Sequence, residues 1–546
     1  MTARLLVAML ASFLLSVGAA PGATLTVDDD GPADFATLQA AINASSDGDE
    51  IVIMPGNYTG PFDTLGRSIL LTGTDPGDPE TVDSTILNGS TNHRVMNIPP
   101  SAALVILRGL TNHAAGEGGA IAVRDGELTA QDCLFTGNSA HSGGAVDVVN
   151  ADATFQRCEF NGNTSESAGG AMHLTGPSLA GRIAVTIEGS AFRQNMAGEI
   201  GGAMHSSLAG IALEDTLFDS NAALNVEGTF AYGGALSLWT TNVRSEDCVF
   251  VGNAAISRRS SLGGAVATQD GTDFEAVRTA FVSNASLATD PPSPFVCGEG
   301  GALDFSDSDL RAVGCVFIAN TATNALASAI DYSGANFCDT NLVHELTNCT
   351  FAGNHVMDVF GSPPQPVATV RHFYYCGPCG CFLGVDYPPL TITNCVFDDP
   401  TEVSAYAIGE RGTMVEANNV GFKHESLPAG PAPVFVDPSA GDFRLAPGSP
   451  GVDAGDNSAL PADYTTDLLG LPRVVNGTVD AGAYELQSSA PCLGDCDNSG
   501  TVDFNDLVAM LFEFGNATPA CDADGSQNVD FNDLVAALFL FGPCPK

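Results

Sequence analysis

Positive charge is scarce in this chain of 546 residues. Lys and Arg together number 19 against 64 Asp and Glu, which gives a formal net charge of −45. A chain of this charge is repelled by phosphate backbones, so nucleic-acid binding is excluded as its function. Acidity of this kind suits an extracellular protein that meets hard cations such as Ca²⁺.

Long apolar runs are missing beyond the N-terminus. Residues 1–23 combine one Arg, a short apolar stretch and small residues, which predicts a secretory signal peptide. The alternative, a membrane anchor, needs about 20 apolar residues. No later segment is apolar enough to span a bilayer, and the 15 Cys fit an oxidising compartment. We therefore expect a secreted or surface-attached protein.

Helical periodicity is also missing from most of the chain, and two short phrases recur in its place. Gly-Gly-Ala returns seven times between Gly118 and Ala302, in step with a phrase of the form Phe-x-x-Asn at intervals of about 25 to 37 residues. Short alternating runs and Asp-Gly or Gly-Asn turns separate the phrases. This period predicts an all-β solenoid, a parallel β-helix in which each repeat is one coil. The phenylalanines in register are Phe135, Phe160, Phe192, Phe218, Phe250, Phe281, Phe317 and Phe351.

The two phrases have a physical interpretation in such a fold. Phe should stack on Phe in the interior, and the Asn side chains should form a ladder of amide hydrogen bonds along the axis. Gly-Gly permits a tight corner before the next strand. Small side chains in one shared register should stack inside as well: Cys133, Cys158, Cys248, Cys315, Cys349 and Cys395.

The paired phrases resemble the repeats of chlamydial-type polymorphic outer membrane proteins, within the pectin-lyase-like superfamily of right-handed parallel β-helices. The resemblance covers residues 118–354, and "DFATLQAAINASSDGDEIVIMPGNY" and "VDAGAYE" resemble the first and last coils of such proteins. It implies an N-terminal cap with the first coils at 24–117, repeats at 118–400 and terminal coils at 401–486. The superfamily includes polysaccharide lyases and hydrolases as well as adhesins, so the fold alone does not select a function.

Residues 487–546 have a different sequence pattern and contain two acidic loops, each followed by an amphipathic segment. Each loop places oxygen-bearing residues at the spacing of an EF-hand, which wraps a calcium ion. Gln527 replaces the turn glycine of the second loop. The predicted calcium ligands are Asp495, Asp497, Ser499, Thr501, Asp503 and Asp506 in the first loop and Asp522, Asp524, Ser526, Asn528, Asp530 and Asp533 in the second.

The tandem loop–helix units, with Asp at the last ligand position, resemble a type I dockerin. The resemblance implies calcium-dependent folding and binding to a cohesin-like partner. Both copies have Phe-Asn after the ninth loop position, which departs from the residues typical of dockerin recognition. Disulfides should stabilise this module, and three pairings are possible among Cys492, Cys496, Cys521 and Cys544.

One strand position in each coil carries the candidate catalytic and ligand-binding residues. In "GGAVDVV" Val146 and Val148 should point inward and Asp147 outward, and counting coil by coil gives an outward column. Its members include the group Asp147, His173 and His205 and the group Asp304, Asp331 and Arg371. Neighbouring carboxylates push their pKa values apart, as acid–base hydrolysis requires, whereas a lyase would hold Ca²⁺ on them. Trp239, the single Trp, should point outward on the same face and could contact a sugar ring.

Exposed strand positions are polar by default, so most of this column is expected to be display surface. The preferred interpretation is a non-catalytic adhesion or carbohydrate-contact protein, docked through its calcium module. The alternative is a polysaccharide hydrolase or lyase that uses Asp304, Asp331 and Arg371, and a second alternative is a structural envelope protein.

Overall fold

The computed structural model describes most of the chain. The described residues are 22–89, 93–100, 104–113, 119–290, 297–323, 325, 327–334, 342–357, 368–374, 389–399, 404–408, 414–421 and 431–487, and, near the C-terminus, 496, 501–502, 504–514, 521, 529, 533–534, 537 and 542–543. The predicted signal peptide, residues 1–23, therefore lies almost wholly outside the described residues.

The chain winds through four long sheets, which we name A, B, C and D in the order in which one coil visits them. Every strand pairing within these four sheets is parallel and joins one coil to the next. Consecutive coils therefore stack strand upon strand, as predicted, and the protein is a parallel β-helix.

Sheet A has fourteen strands and sheet B has twelve. The strands of sheet A are Thr24–Val27, Glu50–Ile53, Leu70–Gly73, Val105–Arg108, Glu127–Gln131, Asp152–Gln156, Ile183–Glu188, Ala209–Glu214, Asn242–Glu246, Asp273–Val277, Asp309–Val313, His344–Thr347, Leu390–Thr393 and Met414–Ala417. Those of sheet B are Gly56–Thr59, Thr85–Asn88, Thr111–His113, Leu134–Thr136, Glu159–Asn161, Ala191–Arg193, Leu217–Asp219, Val249–Val251, Ala280–Val282, Val316–Ile318, Thr350–Ala352 and Val396–Asp398.

Sheet C has eight strands, sheet D has twelve, and a three-stranded sheet E follows sheet C at three successive coils. Sheet C consists of Ser139–Ser142, Thr164–Ala168, Met196–Ala197, Ala222–Asn225, Ala254–Ser257, Ala285–Ala288, Thr321–Thr323 and His355–Met357. Sheet D consists of Phe62–Asp63, Met96–Ile98, Ile121–Arg124, Val146–Val149, Met172–Thr175, Met204–Ser207, Leu236–Trp239, Val266–Gln269, Leu303–Ser306, Ala327–Gly334, Ala368–Tyr374 and Ser404–Ile408. Sheet E consists of Phe230–Tyr232, Ser260–Leu262 and Cys297–Glu299.

The helices among the described residues are short. Leu38–Ala44 buries Leu38, Ala41 and Ile42 at the first coils. The others are Pro79–Ser84, Phe504–Phe512 and the 3₁₀ turns Pro438–Ala440 and Asn457–Ala459, and two antiparallel pairs join Phe435–Asp437 to Asp442–Leu445 and Thr501–Val502 to Gly542–Pro543.

The interior is a stack of phenylalanine rings. From Phe135 to Phe397 the rings of successive coils lie nearly parallel, with centroids 4.6 to 5.1 Å apart. Burial of one such side chain contributes about 1.5–3 kcal/mol. The six cysteines in the shared register are buried free thiols, as predicted.

The asparagine ladder also forms as predicted. In each coil from Asn138 to Asn320 the Nδ2 atom donates to Oδ1 of the next Asn at 2.8–3.0 Å. The Gly-Gly corner that follows leaves no room for a side chain. Gly233 has φ of 62°, and a Cβ on Gly234 would lie 2.0 Å from the carbonyl oxygen of Gly264.

Candidate active site on sheet D

One outward-pointing residue from each strand of sheet D forms a continuous column. The strand register aligns Asp147 with His173, His205 with Ser237 and Asp304 with Asp331, in the order that counting from the sequence predicted. Over the nine strands from Ile121–Arg124 to Ala368–Tyr374 the column is Ala122, Asp147, His173, His205, Ser237, Ala267, Asp304, Asp331 and Arg371. Neighbouring strands lie about 4.8 Å apart, so consecutive members are in contact range.

The expectation that this column is display surface is wrong for its second half. Asp304 is 1% exposed and Asp331 0%, and His205, Ser237, Ala267 and Arg371 are buried as well. The strands of sheet E precede the Gly-Gly corners in this part of the solenoid, and Cys297–Glu299 lies next to Ala327–Gly334 of sheet D.

Asp331 and Arg371 form a bidentate ion pair. Arg371 Nε lies 2.7 Å from Asp331 Oδ1, and Arg371 Nη2 lies 2.6 Å from Asp331 Oδ2. Glu299 at the end of sheet E approaches the same guanidinium at 3.8 Å. Burial raises the pKa of Asp331 to about 6 although the Arg371 charge opposes the shift, so Asp331 is mainly ionised at neutral pH.

Asp304 lies beside this pair in a different electrostatic setting. Within the described part of the chain, neither of its carboxylate oxygens has a hydrogen-bond partner, although both are buried. Burial, and then the charges of Glu299 and Asp331, raise the pKa of Asp304 well above its ordinary value. Because an isolated buried carboxylate is costly, this environment favours the neutral acid form of Asp304.

Glu299 is the member of this group that sequence reasoning missed. One carboxylate oxygen each from Glu299, Asp304 and Asp331 lie within 4.8 Å of one another. Glu299 does not belong to the strand column; it reaches the site from the residue before Gly300 and Gly301.

The three carboxylates also fit a divalent cation. Hard cations take oxygen ligands, and the two unpartnered oxygens of buried Asp304 are the observation that favours such an ion. Glu299, Asp304 and Asp331 would hold it, with Arg371 balancing part of their charge.

The other group predicted on the column lies toward the N-terminus. His173 Nδ1 is 2.9 Å from Asp147 Oδ1, and the His173 and His205 rings stack with centroids 5.7 Å apart. Burial, and then the charge of His173, lower the pKa of His205 to about 3. Among the described residues His205 contacts Ser237 and an aromatic ring rather than a third metal-ligating side chain.

Trp239 points outward on sheet D next to this group, as predicted. Its ring meets His205 edge to face, with centroids 5.3 Å apart, and its Nε1 atom is buried without a hydrogen-bond partner in the part of the chain that is described. The ring is half-buried, and its contact with a sugar stays a prediction.

The C-terminal module is described in part. Asp506 and Asp533, the twelfth residues of the two predicted loops, are both fully buried, and Thr501 lies in the short strand Thr501–Val502. Cys496 and Cys521 form a disulfide, and Cys492 and Cys544 lie outside the described residues. The other predicted ligands also lie outside them: Asp495, Asp497, Ser499, Asp503, Asp522, Asp524, Ser526, Asn528 and Asp530.

The helix Phe504–Phe512 of this module buries Met510 together with Val502 and Val529, with Leu507 packed beside them. Val508 is exposed and Leu511 is 60% exposed. The buried Met510 follows Asp506 by one turn, which places the apolar contact next to the predicted calcium ligand.

Comparison with known proteins gives matches at the level of structure. No protein-family model matches the sequence, and no curated protein does so either. The chain is similar to the pectate lyase Pel9A, at 14% identity with a TM-score of 0.34, over 86% of this chain and 98% of that one. It is similar to a PL6 alginate lyase in complex with a trisaccharide, at 10% identity and a TM-score of 0.41, over 76% and 87%. A mutant of the PL6 family alginate lyase AlyGC gives 12% identity and a TM-score of 0.43 over 83% and 60%.

The stacking of parallel coils, rather than these similarities, establishes that the protein is a parallel β-helix. Among the described residues, no helix is both long and apolar enough to cross a membrane.

Proposed function

We propose that the protein cleaves a polysaccharide by hydrolysis, with Asp304 as the proton donor and Asp331 as its ionised partner. The observation that supports this is the contrast between two adjacent carboxyl groups. Asp304 is buried without a hydrogen-bond partner among the described residues, and Asp331 is fixed by Arg371. Pairs of acids whose environments separate their pKa values are the basis of glycosidic bond hydrolysis.

The roles of the residues follow from their positions. Asp304 would protonate the glycosidic oxygen as its bond to the anomeric carbon breaks, and the Asp331 carboxylate would attack that carbon to form a glycosyl ester. Water, deprotonated by Asp304, would then attack the same carbon, which releases the Asp331 carboxylate and restores the proton of Asp304. A separation of about 5 Å between the carboxyl groups is typical of enzymes that retain the anomeric configuration. Arg371 positions Asp331. Glu299 is partly exposed, so the substrate would approach on its side.

The test is a turnover assay of the full chain on a panel of neutral and acidic polysaccharides. We expect new reducing ends, and a loss of about 10²- to 10⁴-fold in rate for Asp304→Asn and for the double variant with Asp331→Asn. Asp273→Asn, which changes an exposed carboxylate on sheet A, is the matched control and should keep the parent rate.

Either a silent panel with folded parent protein or full activity in Asp304→Asn would contradict the proposal. Saturable glycan binding without turnover would then favour the non-catalytic adhesion function, and neither binding nor turnover would favour the envelope role.

The convergence of Glu299, Asp304 and Asp331 supports a second candidate, a lyase that uses a bound divalent cation. In that enzyme the ion would neutralise a uronate carboxylate of the substrate. The same assay separates the two reactions, because a lyase gives unsaturated products and stops when a chelator removes Ca²⁺. Hydrolysis that continues in chelator would exclude the lyase.

For residues 487–546 we propose a calcium-binding, dockerin-type module that docks onto a cohesin-like partner of an exported assembly. Its support is the paired burial of Asp506 and Asp533 and the exposed apolar surface at Val508, Leu511 and Phe514 on or beside one helix. Solvent-facing apolar side chains of this kind mark interaction surfaces.

Calcium titration of the full chain by calorimetry tests this module. We expect two ions per chain in the parent and none at these loops in Asp506→Ala/Asp533→Ala. Leu511→Asp should leave calcium binding unchanged but lower the affinity for a cohesin partner, because it places a charge on the exposed face of the helix. Equal calcium binding by parent and double variant would refute the assignment.

A further inference from the structure

We propose that an uncharged strip of sheet E, next to the Asp304–Asp331 pair, binds a neutral sugar unit of the polysaccharide. The inference rests on the proposed polysaccharide-cleaving function and narrows its substrate to a glycan with a neutral unit near the bond that is cleaved. We name the site the aromatic strip and define it as Phe230, Tyr232, Ser260 and Leu262.

The aromatic strip consists of the outward residues of two neighbouring strands. The strand Phe230–Tyr232 pairs in parallel register with Ser260–Leu262, which aligns Phe230 with Ser260 and Tyr232 with Leu262. In each strand the middle residue is buried, and the residues on either side of it are at least partly exposed. Because side chains alternate along a strand, the four residues of the strip lie on the same outer face.

Two aromatic rings form one end of the strip. The rings of Phe230 and Tyr232 are nearly parallel, with an angle of 8° between their planes and centroids 6.1 Å apart. Phe230 is 49% exposed, and Asn225 Nδ2 donates to its backbone oxygen at 2.8 Å, which holds this end of the strand in place. Aromatic side chains in a fixed position offer a large apolar contact area to the apolar face of a sugar ring, and the Tyr232 hydroxyl adds a hydrogen-bonding group.

The strip leads directly to the candidate active site. Leu262 aligns with Glu299 on the next strand of sheet E, so Tyr232, Leu262 and Glu299 occupy one column. All three are partly exposed, so one ligand can contact each of them. Tyr232 and Glu299 are two strands apart, which is about 10 Å at the usual strand spacing, and a carboxylate oxygen of Glu299 lies within 4.8 Å of one from Asp304 and one from Asp331. A glycan bound along the strip would therefore extend to the carboxyl pair.

The chemistry of the strip favours a neutral sugar unit. Its four side chains carry no charge, and its column ends at the acid Glu299 in a chain of net charge −45. A uronate or sulfated unit placed on the strip would be repelled by this negative charge. A neutral unit can place its apolar face on the rings while its hydroxyls bond to Ser260, Tyr232 or water. Arg259, which is exposed and precedes the strand Ser260–Leu262, is the cation that an acidic unit would require.

The experiment measures binding rather than turnover, in the full chain with Asp304→Asn as the reference variant that prevents cleavage. Calorimetry compares cellopentaose, mannopentaose and pentagalacturonate. We expect a neutral pentasaccharide to bind best and Phe230→Ala to lower its affinity by about 10-fold or more, because the exposed ring is lost. Tyr232→Phe keeps the ring and should retain most of the affinity that Tyr232→Ala loses. Phe514→Ala removes a ring that is 50% exposed in the C-terminal module, and this matched control should bind like the reference variant.

Failure of all three oligosaccharides to bind, or unchanged affinity in Phe230→Ala, would overturn the aromatic strip. Tighter binding of pentagalacturonate that Arg259→Gln weakens would overturn the choice of a neutral unit. If a neutral pentasaccharide binds through Phe230 but the parent cleaves no polysaccharide, the strip stands and the hydrolase does not. If the parent cleaves a polysaccharide whose fragments bind equally well to Phe230→Ala, the hydrolase stands and the strip does not.

Discussion

Two columns of residues run along the solenoid, the asparagine ladder and the outward column of sheet D, and they differ in whether their polar groups are hydrogen-bonded. The asparagine column repeats one residue and satisfies every member: Asn253 Nδ2 donates to Asn284 Oδ1 and to the backbone oxygen of Phe218. The outward column of sheet D changes its residue at almost every coil and contains Asp304, a buried acid without a hydrogen-bond partner in the described residues.

The difference separates scaffold from site. A repeated and fully satisfied side chain stabilises the coil that contains it, since each amide replaces a water contact with a buried hydrogen bond. An unsatisfied buried acid lowers stability, and such groups persist where they serve a reaction or a ligand. Variation combined with an unsatisfied group therefore distinguishes the functional column from the structural one.

The largest expected effect on the free energy of unfolding comes from a substitution in the middle of the asparagine ladder. Asn253→Ala removes two donated hydrogen bonds and also the acceptor for the backbone N and Nδ2 of Asn221. We expect the free energy of unfolding to fall by about 3–5 kcal/mol, measured by denaturant unfolding. Asn57→Ala changes an exposed Asn of sheet B and should cost less than about 0.5 kcal/mol. Equal effects of the two substitutions would show that the ladder is not stabilising.

A smaller effect of opposite sign is expected in the variable column. Asp304→Asn should raise the free energy of unfolding by about 1–3 kcal/mol at pH 7, because the amide carries no charge that burial disfavours. The pKa of Asp304 is raised in the folded protein. The free energy of unfolding of the parent therefore increases as pH falls toward about 4, the pKa of Asp in the unfolded chain. The difference in free energy of unfolding between variant and parent should disappear over the same range.

Asp331→Asn is the control for this comparison. It leaves Arg371 buried without its bidentate partner, so it should destabilise the protein while Asp304→Asn stabilises it. Thermal unfolding of both variants between about pH 4 and pH 7 provides the measurement. A destabilised Asp304→Asn with no dependence on pH would mean that Asp304 is a structural residue.

The periodic part of the fold could be predicted from the sequence because neighbouring coils repeat the same contacts. Phe160 stacks on Phe192 for the same reason that Phe250 stacks on Phe281, so one repeat predicts the next. The alignment of Asp304 with Asp331 followed from the same counting.

What could not be predicted depends on segments that do not repeat. The strands of sheet E come from insertions of unequal length, and the strand Cys297–Glu299 brings Glu299 to the buried Asp304. Two interior positions also break the apolar pattern without a periodic signal. His344 Nδ1 and His372 Nε2 lie 2.8 Å apart inside the coil, and burial lowers the pKa values of these two rings to about 4 and about 3.

The asparagine ladder ends at an acid. Asn354 donates from its backbone N and its Nδ2 atom to Asp399, which also accepts a hydrogen bond from Thr369. A carboxylate has no amide hydrogen to donate, so the ladder cannot continue past this residue into another coil or another molecule. Asp399 therefore ends the amide ladder within the solenoid, and the next strands of sheets D and A, Ser404–Ile408 and Met414–Ala417, continue without it.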